Sequence, residues 1–546
     1  MEPIKPMLWT SLKNYSAKDL TSDVVSGIIV AVIALPLSIA LALASGVGPE
    51  EGLYTAIIAG FLISAFGGSK VQIAGPTAAF ATIVAGIVAN SGLEGLMVAT
   101  VMAGLLLILM GVLRLGKLIR FIPSTITIGF TAGIAVTILI GQLKDFFGLT
   151  YPAGTVTIET VEKVEAVAKN FGTLNPWALG VGVLSLAILI FWPKVSTKIP
   201  ASLIAVLAGA LIVKLGHLPV NTIGDLYTVS SSLPHLHVPV LSFKLVRAMF
   251  PNAVTIAILA AIESLLSCVV ADGMTGDKHR PDTELIAQGI GNIGSALFGG
   301  IPATGAIART AANINNGGKT PVAGMVHSIV LLLVLVLLMP YASYIPMPVI
   351  AAVLFIVAYN MCQWRPFVSM VKSAPKSDII VLVITFVLTI VFDLVVAIAV
   401  GLGMACLLFM KRMSEETAIR KWEDAPEDEE SGLRHILPQV SIYEIEGPLF
   451  FGSVEKLSQI TAKGSTKALV LRMRSVTALD ATALSSLEKL YDRCKAQGTQ
   501  VVFSHVNPQP MKVMEHSGFA DKVGKEYFCS HIEEAIEMAE AIAGDQ

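Results

Sequence analysis

Apolar runs long enough to cross about 30 Å of hydrocarbon, some of them short or broken, fall near residues 24–45, 51–67, 76–91, 94–113, 119–141, 176–192 and 200–215. A second set follows near 250–271, 284–298, 306–316, 321–340, 347–360, 378–392 and 394–410. The pattern predicts seven membrane helices and then seven more over residues 23–412, after a polar segment, 1–22. The chain next turns rich in Glu and Asp from Ser414 to Ser431, read as part of an acidic linker over 413–437. In 438–546 apolar, β-rich runs at Gln439–Glu446, Ala468–Met473 and Gln500–Val506 alternate with helical patterns at Thr482–Gln497, Pro508–Gly518 and His531–Ile542. That alternation predicts a small α/β domain.

Two breaks inside the apolar pattern echo each other. Ser64-Ala65-Phe66-Gly67-Gly68 leads to Gly75-Pro76-Thr77-Ala78-Ala79. About 230 residues later, Ser295-Ala296-Leu297-Phe298-Gly299-Gly300 leads to Thr304-Gly305-Ala306-Ile307-Ala308-Arg309. Paired interruptions at corresponding places in two halves of a membrane protein point to a transporter's substrate site. An odd number of spans per half makes the second half enter the membrane inverted, so the two breaks approach mid-membrane from opposite faces. Positive charge agrees with this reading: with the N-terminus inside, the loops carrying Arg114/Lys117/Arg120, Lys194/Lys198, Lys278/Arg280, Lys319, Arg365/Lys372/Lys376 and Lys411/Arg412 all fall on the cytoplasmic side. Segments 142–175 and 217–247 then lie outside, and the C-terminal α/β domain lies in the cytoplasm.

Composition agrees with a polytopic membrane protein. The 546 residues are 54% hydrophobic and 14% charged, with a mean hydropathy of +0.73, too apolar for a soluble protein of this length. The first run, Val24 to Ala44, is longer than a signal peptide core and ends without a small-residue cleavage site, so it is expected to stay as the first span. A net charge of -2 without a basic, aromatic-interleaved tract excludes nucleic acid as a partner. The five cysteines, Cys268, Cys362, Cys406, Cys494 and Cys529, are scattered, implying neither a disulfide framework nor a zinc site. His235-Leu236-His237 in an outer loop is a weak metal pair, read as solvated. Without a nucleophile–base motif, Walker sequence or Rossmann fingerprint, the chain is expected to be neither an enzyme nor an ATP-driven pump, and to need no cofactor.

The breaks carry the candidate chemistry. Gly75-Pro76-Thr77 reads as a helix start with proline at the first helical position, and Gly305 before Ala306 reads likewise. A helix beginning inside the membrane leaves its first N–H groups unpaired and places partial positive charge there. Two such starts facing each other make an anion site, with Pro76, Thr77, Ala78 and Ala79 on one side and Ala306, Ile307, Ala308 and Arg309 on the other. The small residues let a ligand approach backbone; the bland alternative is helix packing by Gly and Ala. A buried Arg309 costs at least about 2.5–3.5 kcal/mol and so needs a counter-charge or a water-filled cavity, unless it snorkels to a headgroup. Glu263, the one acid in Val254–Ala271, is the candidate proton-coupling group, competing with a permanent Glu263–Arg309 ion pair. Ser267 and Ser38 add hydroxyls or serve as packing serines. Glu94 at a turn and Asp393 at the hinge between the last two spans are expected at an interface.

These residues resemble the sulfate permease (SulP) family of anion transporters. The resemblance rests on Ala34-Leu35-Pro36, Phe66-Gly67-Gly68 with Gly75-Pro76-Thr77, Glu263, Phe298-Gly299-Gly300 through Arg309, and Gly317-Gly318-Lys319-Thr320. The C-terminal part resembles a STAS domain, with Leu479-Asp480-Ala481-Thr482-Ala483-Leu484 at its signature loop. The resemblance implies a 14-span, seven-plus-seven inverted repeat of α-helices with a core domain (spans 1–4 and 8–11) and a gate domain (5–7 and 12–14), an elevator-like mechanism and a homodimer. In animal members a Ser-Arg pair contacts the anion; here it corresponds to Ala308-Arg309, so any contact from residue 308 comes from backbone. The first span and 284–300 look closest to cyanobacterial sodium–bicarbonate transporters. Where those proteins are expected to place a sodium-binding Asp and a Thr, this chain has Glu263 and Ile307, and Arg309 stands at a small-residue position. A sodium site needs oxygen ligands, so proton coupling or anion exchange is favoured. At the signature loop Thr482 is read as an N-cap, with phosphorylation as the alternative.

The sequence thus predicts a secondary active transporter of a small inorganic anion in the cell membrane, sulfate foremost, coupled to protons through Glu263 or exchanging anions. Bicarbonate, chloride or a dicarboxylate, a channel-like conductor, a nucleobase carrier of the same fold, and a STAS domain that docks a cytoplasmic partner are the alternatives.

Overall fold

The computed structural model describes residues 4–117, 123–152, 155, 157, 159–196, 199–239, 242–392, 394–422, 437–461 and 465–544. Arg120, Lys198, Asp393 and most of the acidic stretch lie outside the described residues. The chain divides into two compact units, Met1–Leu402 and Gly403–Gln546.

The first unit is helical, and every apolar run read from the sequence lies on a helix. Numbering the longer elements in chain order, the first half holds α1 (Ala17–Ala44), α2 (Pro49–Phe66), β1 (Ala74–Gly75), α3 (Ala78–Val112), α4 (Ser124–Phe147), α5 (Pro176–Val195) and α6 (Ala201–Gly216). The second half holds α7 (Phe243–Thr275), α8 (Pro281–Leu297), β2 (Thr304–Gly305), α9 (Ile307–Asn315), α10 (Val322–Ala342), α11 (Met347–Met361), α12 (Trp364–Ser373), α13 (Lys376–Val391) and α14 (Leu394–Glu416). The two runs predicted at 76–91 and 94–113 are the two arms of α3, separated where Gly92 adopts φ 66°, a left-handed conformation that glycine takes without a Cβ penalty. Glu94 follows that break and is exposed. Among the described residues, eight helices are long and apolar enough to cross a membrane. The short α12, with charged Arg365 and Lys372 and no buried residue, had no counterpart among the predicted runs.

Local chemistry sets several helix starts. Ser16 caps α1 in a reciprocal box with Asp19, and Pro49 opens α2 after Gly48. Hydrogen bonds tie α1 to α9 and to the chain just beyond it. Asp23, fully buried, accepts hydrogen bonds from the Lys319 and Thr320 amides (2.7 and 3.2 Å) and from the Tyr15 hydroxyl (3.0 Å). Ser26 donates to the Asn313 carbonyl (2.9 Å).

The second unit is built on a five-stranded sheet of order β3-β4-β5-β6-β7, from β3 (Ala418–Lys421), β4 (Val440–Glu446), β5 (Ala468–Ser475), β6 (Gln500–Ser504) and β7 (Phe528–Cys529). Only β3 is antiparallel to its neighbour. Side chains alternate across β5: Leu469, Leu471 and Met473 face the core containing α15 (Ala481–Ala496), whereas Ala468 and Val470 face that of α17 (Ile532–Gly544). The third helix, α16 (Pro508–His516), follows β6. At the start of the expected linker 413–437, α14 runs on to Glu416 and Ala418–Lys421 forms an edge strand. Its short charged sequence, Ala-Ile-Arg-Lys, suits an edge but gives no apolar run to recognise.

Candidate functional site

The two breaks meet. β1 and β2 form an antiparallel pair in the register Ala74↔Gly305 and Gly75↔Thr304, extended by the Ala306 amide donating to the Ile73 carbonyl (2.9 Å). Two helices leave this junction, α3 after Thr77 and α9 after Ala306, and neither start has a side-chain cap. Their first N–H groups therefore remain available to a ligand, and their dipoles add positive character. Proline does not occupy the predicted first helical position: Thr77 is the N-cap and the helix opens at Ala78, so Pro76 stands outside it. A contact from the other break engages the Pro76 carbonyl.

That contact is Arg309. In the first turn of α9 its side chain is buried at 1% exposure, and Nη2 donates to the Pro76 carbonyl at 2.9 Å. Its Nε and Nη1 have no hydrogen-bond partner. The absence of a side chain on Gly75 leaves room for the guanidinium, since a Cβ there would meet Nη1. The Glu263 carboxylate on α7 accepts from the Thr77 hydroxyl at 3.0 Å and forms no ion pair with Arg309, which removes the permanent salt bridge considered from sequence. Arg309 and Glu263 thus contact consecutive residues of the first break, one a backbone carbonyl and one a hydroxyl. A buried guanidinium with two unpaired nitrogens is costly unless an acceptor reaches it, and an anion supplies acceptors and charge together.

The predicted residues fall in different environments. Ala78 and Ala79 are buried, Thr77, Glu263 and Ala306 are half-buried, and Ile307 and Ala308 are exposed. Ser267 is buried and donates to the Thr310 hydroxyl at 3.3 Å, one residue beyond Arg309. Ser38 is buried with an unpartnered hydroxyl; its carbonyl backs onto Gly52 of α2, and no hydrogen bond ties it to the breaks. In the second unit Thr482 is not the N-cap of α15. Asp480 is, accepting from the Ala483 amide at 2.8 Å, because the helix opens one residue earlier than its pattern predicted. Among the described residues no group of three or more His, Cys, Asp or Glu side chains gathers to hold a metal, and His235 and His237 are exposed.

Several polar residues that build the junction were not singled out from the sequence. The Ser264 and Thr304 hydroxyls lie 2.6 Å apart, and Ser264 also accepts from the Gly305 amide at 3.1 Å, fixing β2 to α7. The Thr310 hydroxyl accepts from the Ile73 amide at 3.1 Å. Glu284, 1% exposed in the first turn of α8, accepts from the Gly68 and Ser69 amides (2.8 and 3.2 Å) and from the side chains of Gln72 and Gln288 (2.9 Å each). It anchors the glycine pair of the first break to the helix that leads into the second. It stands at the very edge of the run 284–298, where pattern alone does not tell a boundary residue from a buried one.

Comparison with known proteins agrees with this architecture. Residues 20–385 match the sulfate permease family and residues 434–537 the STAS domain. The putative sulfate transporter YvdB of Bacillus subtilis is 41% identical over 540 residues, covering 96% of this chain and 98% of that protein. The bicarbonate transporter BicA of a Picosynechococcus species is 30% identical over 542 residues, covering 96% and 95%. Among solved structures, the transmembrane domain of a cyanobacterial BicA superposes with a TM-score of 0.64 at 31% identity over 70% of this chain and 98% of that one. The overall structure of SLC26A9 shares the fold, with a TM-score of 0.88 at 20% identity over 99% and 93% of the two chains. This multi-pass membrane protein, with its C-terminal STAS domain, belongs to the sulfate permease family.

Proposed function

We propose that the protein is a secondary active transporter of small inorganic anions, sulfate foremost, working by proton symport or anion exchange, and not an enzyme. One observation carries the reading: two uncapped helix starts converge on a buried arginine that has two unpaired nitrogens and no carboxylate partner. The anion lies between the first turns of α3 and α9, held by backbone N–H groups and Arg309. Glu263, bonded to Thr77 at the rim of the same junction, is the proton-coupling group. Alternating access follows an elevator movement of a core (spans 1–4 and 8–11) against a gate (spans 5–7 and 12–14) in a homodimer in the cell membrane, with the N-terminus and STAS domain in the cytoplasm, where the latter is free to dock a partner.

The full-length match to YvdB, named a putative sulfate transporter, supports sulfate. Bicarbonate is the second reading, favoured by the match to BicA. Uptake of each labelled anion into proteoliposomes, with proton and sodium gradients imposed separately, tests both. Sulfate uptake driven by an inward proton gradient is expected to saturate and to counterflow, and Glu263→Gln is expected to lose its pH dependence. Ohmic, non-saturating flux would instead identify a conductor, and unchanged pH dependence would remove Glu263 from coupling.

A further inference from the structure

Three connections join the proposed core to the proposed gate. Residues 113–123, between α3 and α4, lie on the cytoplasmic side in the orientation given above. Residues 217–242, between α6 and α7, and residues 343–346, between α10 and α11, lie on the outer side. The two outer connections are paired with each other. Thr222 and Pro346 face one another in an antiparallel bridge. Around them the Met347 amide donates to the Asn221 carbonyl, the Ile223 amide to the Ile345 carbonyl and the Gly224 amide to the Ser343 carbonyl, each at 2.9 Å. Ile223 and Ile345 are buried, and Gly224 lies so close to the other strand that a Cβ on it would stand 2.9 Å from the Ser343 Cβ.

This zipper is held on the gate side. The Pro219 carbonyl accepts from the side chain of Asn175, the N-cap of α5, at 2.7 Å. Lys214 of α6 sits over the Tyr344 ring, 3.9 Å from its centroid, and Met347 is already the first residue of α11. The connections differ in the length they leave for reaching the core. On the longer outer one, Tyr227 is still bonded to Ile223, and the core takes hold at Ser232, whose carbonyl accepts from Tyr54 of α2 at 3.0 Å. The chain from Tyr227 to Ser232 reaches at most about 17 Å. On the cytoplasmic one, the Gly116 amide donates to Asp282 of α8 at 3.1 Å, which leaves residues 117–123 to reach α4. On the shorter outer one nothing is left, because α10 ends at Ala342 and Ser343 is already paired. Compliance there comes from the last turn of α10, where Pro340 lacks the N–H that would bond the Val336 carbonyl.

We propose that the outer end of α10 is the pivot of the transport movement. The two outer connections stay zipped through the cycle, and the core swings about Pro340–Ser343 instead of translating as a whole, so that displacement grows toward the cytoplasmic face. This rests on the reading of a core that moves against a gate, and it deepens that reading by naming the point that does not move.

The test combines a cross-link with two distances, in a background where Cys362 and Cys406, the cysteines that are not buried, are replaced by Ser. Thr222→Cys with Pro346→Cys locks the zipper, because residues facing across a non-hydrogen-bonded position have Cα atoms about 4.5 Å apart, within disulfide range. Oxidation is expected to leave the rate of sulfate uptake into proteoliposomes unchanged from that of the reduced protein. Spin labels at the exposed positions Trp177→Cys and Tyr341→Cys follow the outer ends of gate and core, and labels at Lys194→Cys and Lys278→Cys follow the inner ends. With and without sulfate, at acid and neutral pH, the inner distance is expected to shift and the outer one to stay. Equal shifts at both ends, or uptake lost on oxidation and regained on reduction, overturn the pivot alone. No shift at either end overturns the core-and-gate reading and the pivot with it. If the Thr222–Pro346 cysteine pair fails to elute and melt like wild type in detergent, the distances, measured without it, carry the test.

Discussion

The first break, residues 67–77, and the second, residues 299–309, run antiparallel through their paired strands, yet they carry different chemistry. The first contributes a backbone carbonyl at Pro76 and a hydroxyl at Thr77; the second contributes the guanidinium of Arg309. Glu263, also from the second half, closes on the first break. Shared backbone geometry gives both halves an uncapped helix start aimed at one junction, so the attraction for anions is built into both. Charge comes from one half alone. The pairing of a symmetric dipole frame with asymmetric ionisable groups separates binding from coupling in the same few residues.

The glycines offer the strongest way to break this comparison. Gly75→Ala drives a methyl into Arg309 Nη1, the group assigned to the anion, whereas Gly305→Ala drives one into the buried amide of Gln72, which is bonded to Glu284. Overpacking of a well-packed site costs about 1–3 kcal/mol. Gly75→Ala, which displaces the anion's own partner, is therefore expected to raise the KM for sulfate by about tenfold, whereas Gly305→Ala, which strains the Gln72–Glu284 contact, is expected to lower the melting temperature with a clearly smaller change in KM in the same uptake assay. Equal effects would show that Arg309 is not held by the first break. A smaller effect is expected for Thr77→Val, which removes the hydroxyl that Glu263 accepts. The loss of one hydrogen bond, about 1 kcal/mol, corresponds to a KM increase of about fivefold or less, with the maximal rate preserved.

Much of this architecture was legible in the sequence because apolar length and Gly/Pro punctuation act locally. The fourteen runs fall on helices, Gly92 separates the arms of α3, and the two echoes announce a shared role. What pattern could not show was which partners the breaks would find. Pro76 looked like the first helical residue, since proline suits that position, but the helix opens two residues later and the Pro76 carbonyl receives Arg309 instead. Glu284 was overlooked for a related reason. It sits at the end of an apolar run, where a polar residue ordinarily marks the interface, and only tertiary packing buries it. In the STAS domain the edge strands Ala418–Lys421 and Phe528–Cys529 are too short or too charged to give a pattern of their own, being defined by the strand they pair with.

The central claim, that the anion is held where the two breaks meet and is held by the charge of one of them, is tested most directly by equilibrium binding of radiolabelled sulfate to the purified protein in detergent. Wild type and Glu263→Gln are expected to bind saturably. Arg309→Ala should bind on the order of tenfold to a hundredfold more weakly, the worth of about 1.5–3 kcal/mol for hydrogen bonds to a charged group. Wild-type affinity in Arg309→Ala would contradict the account.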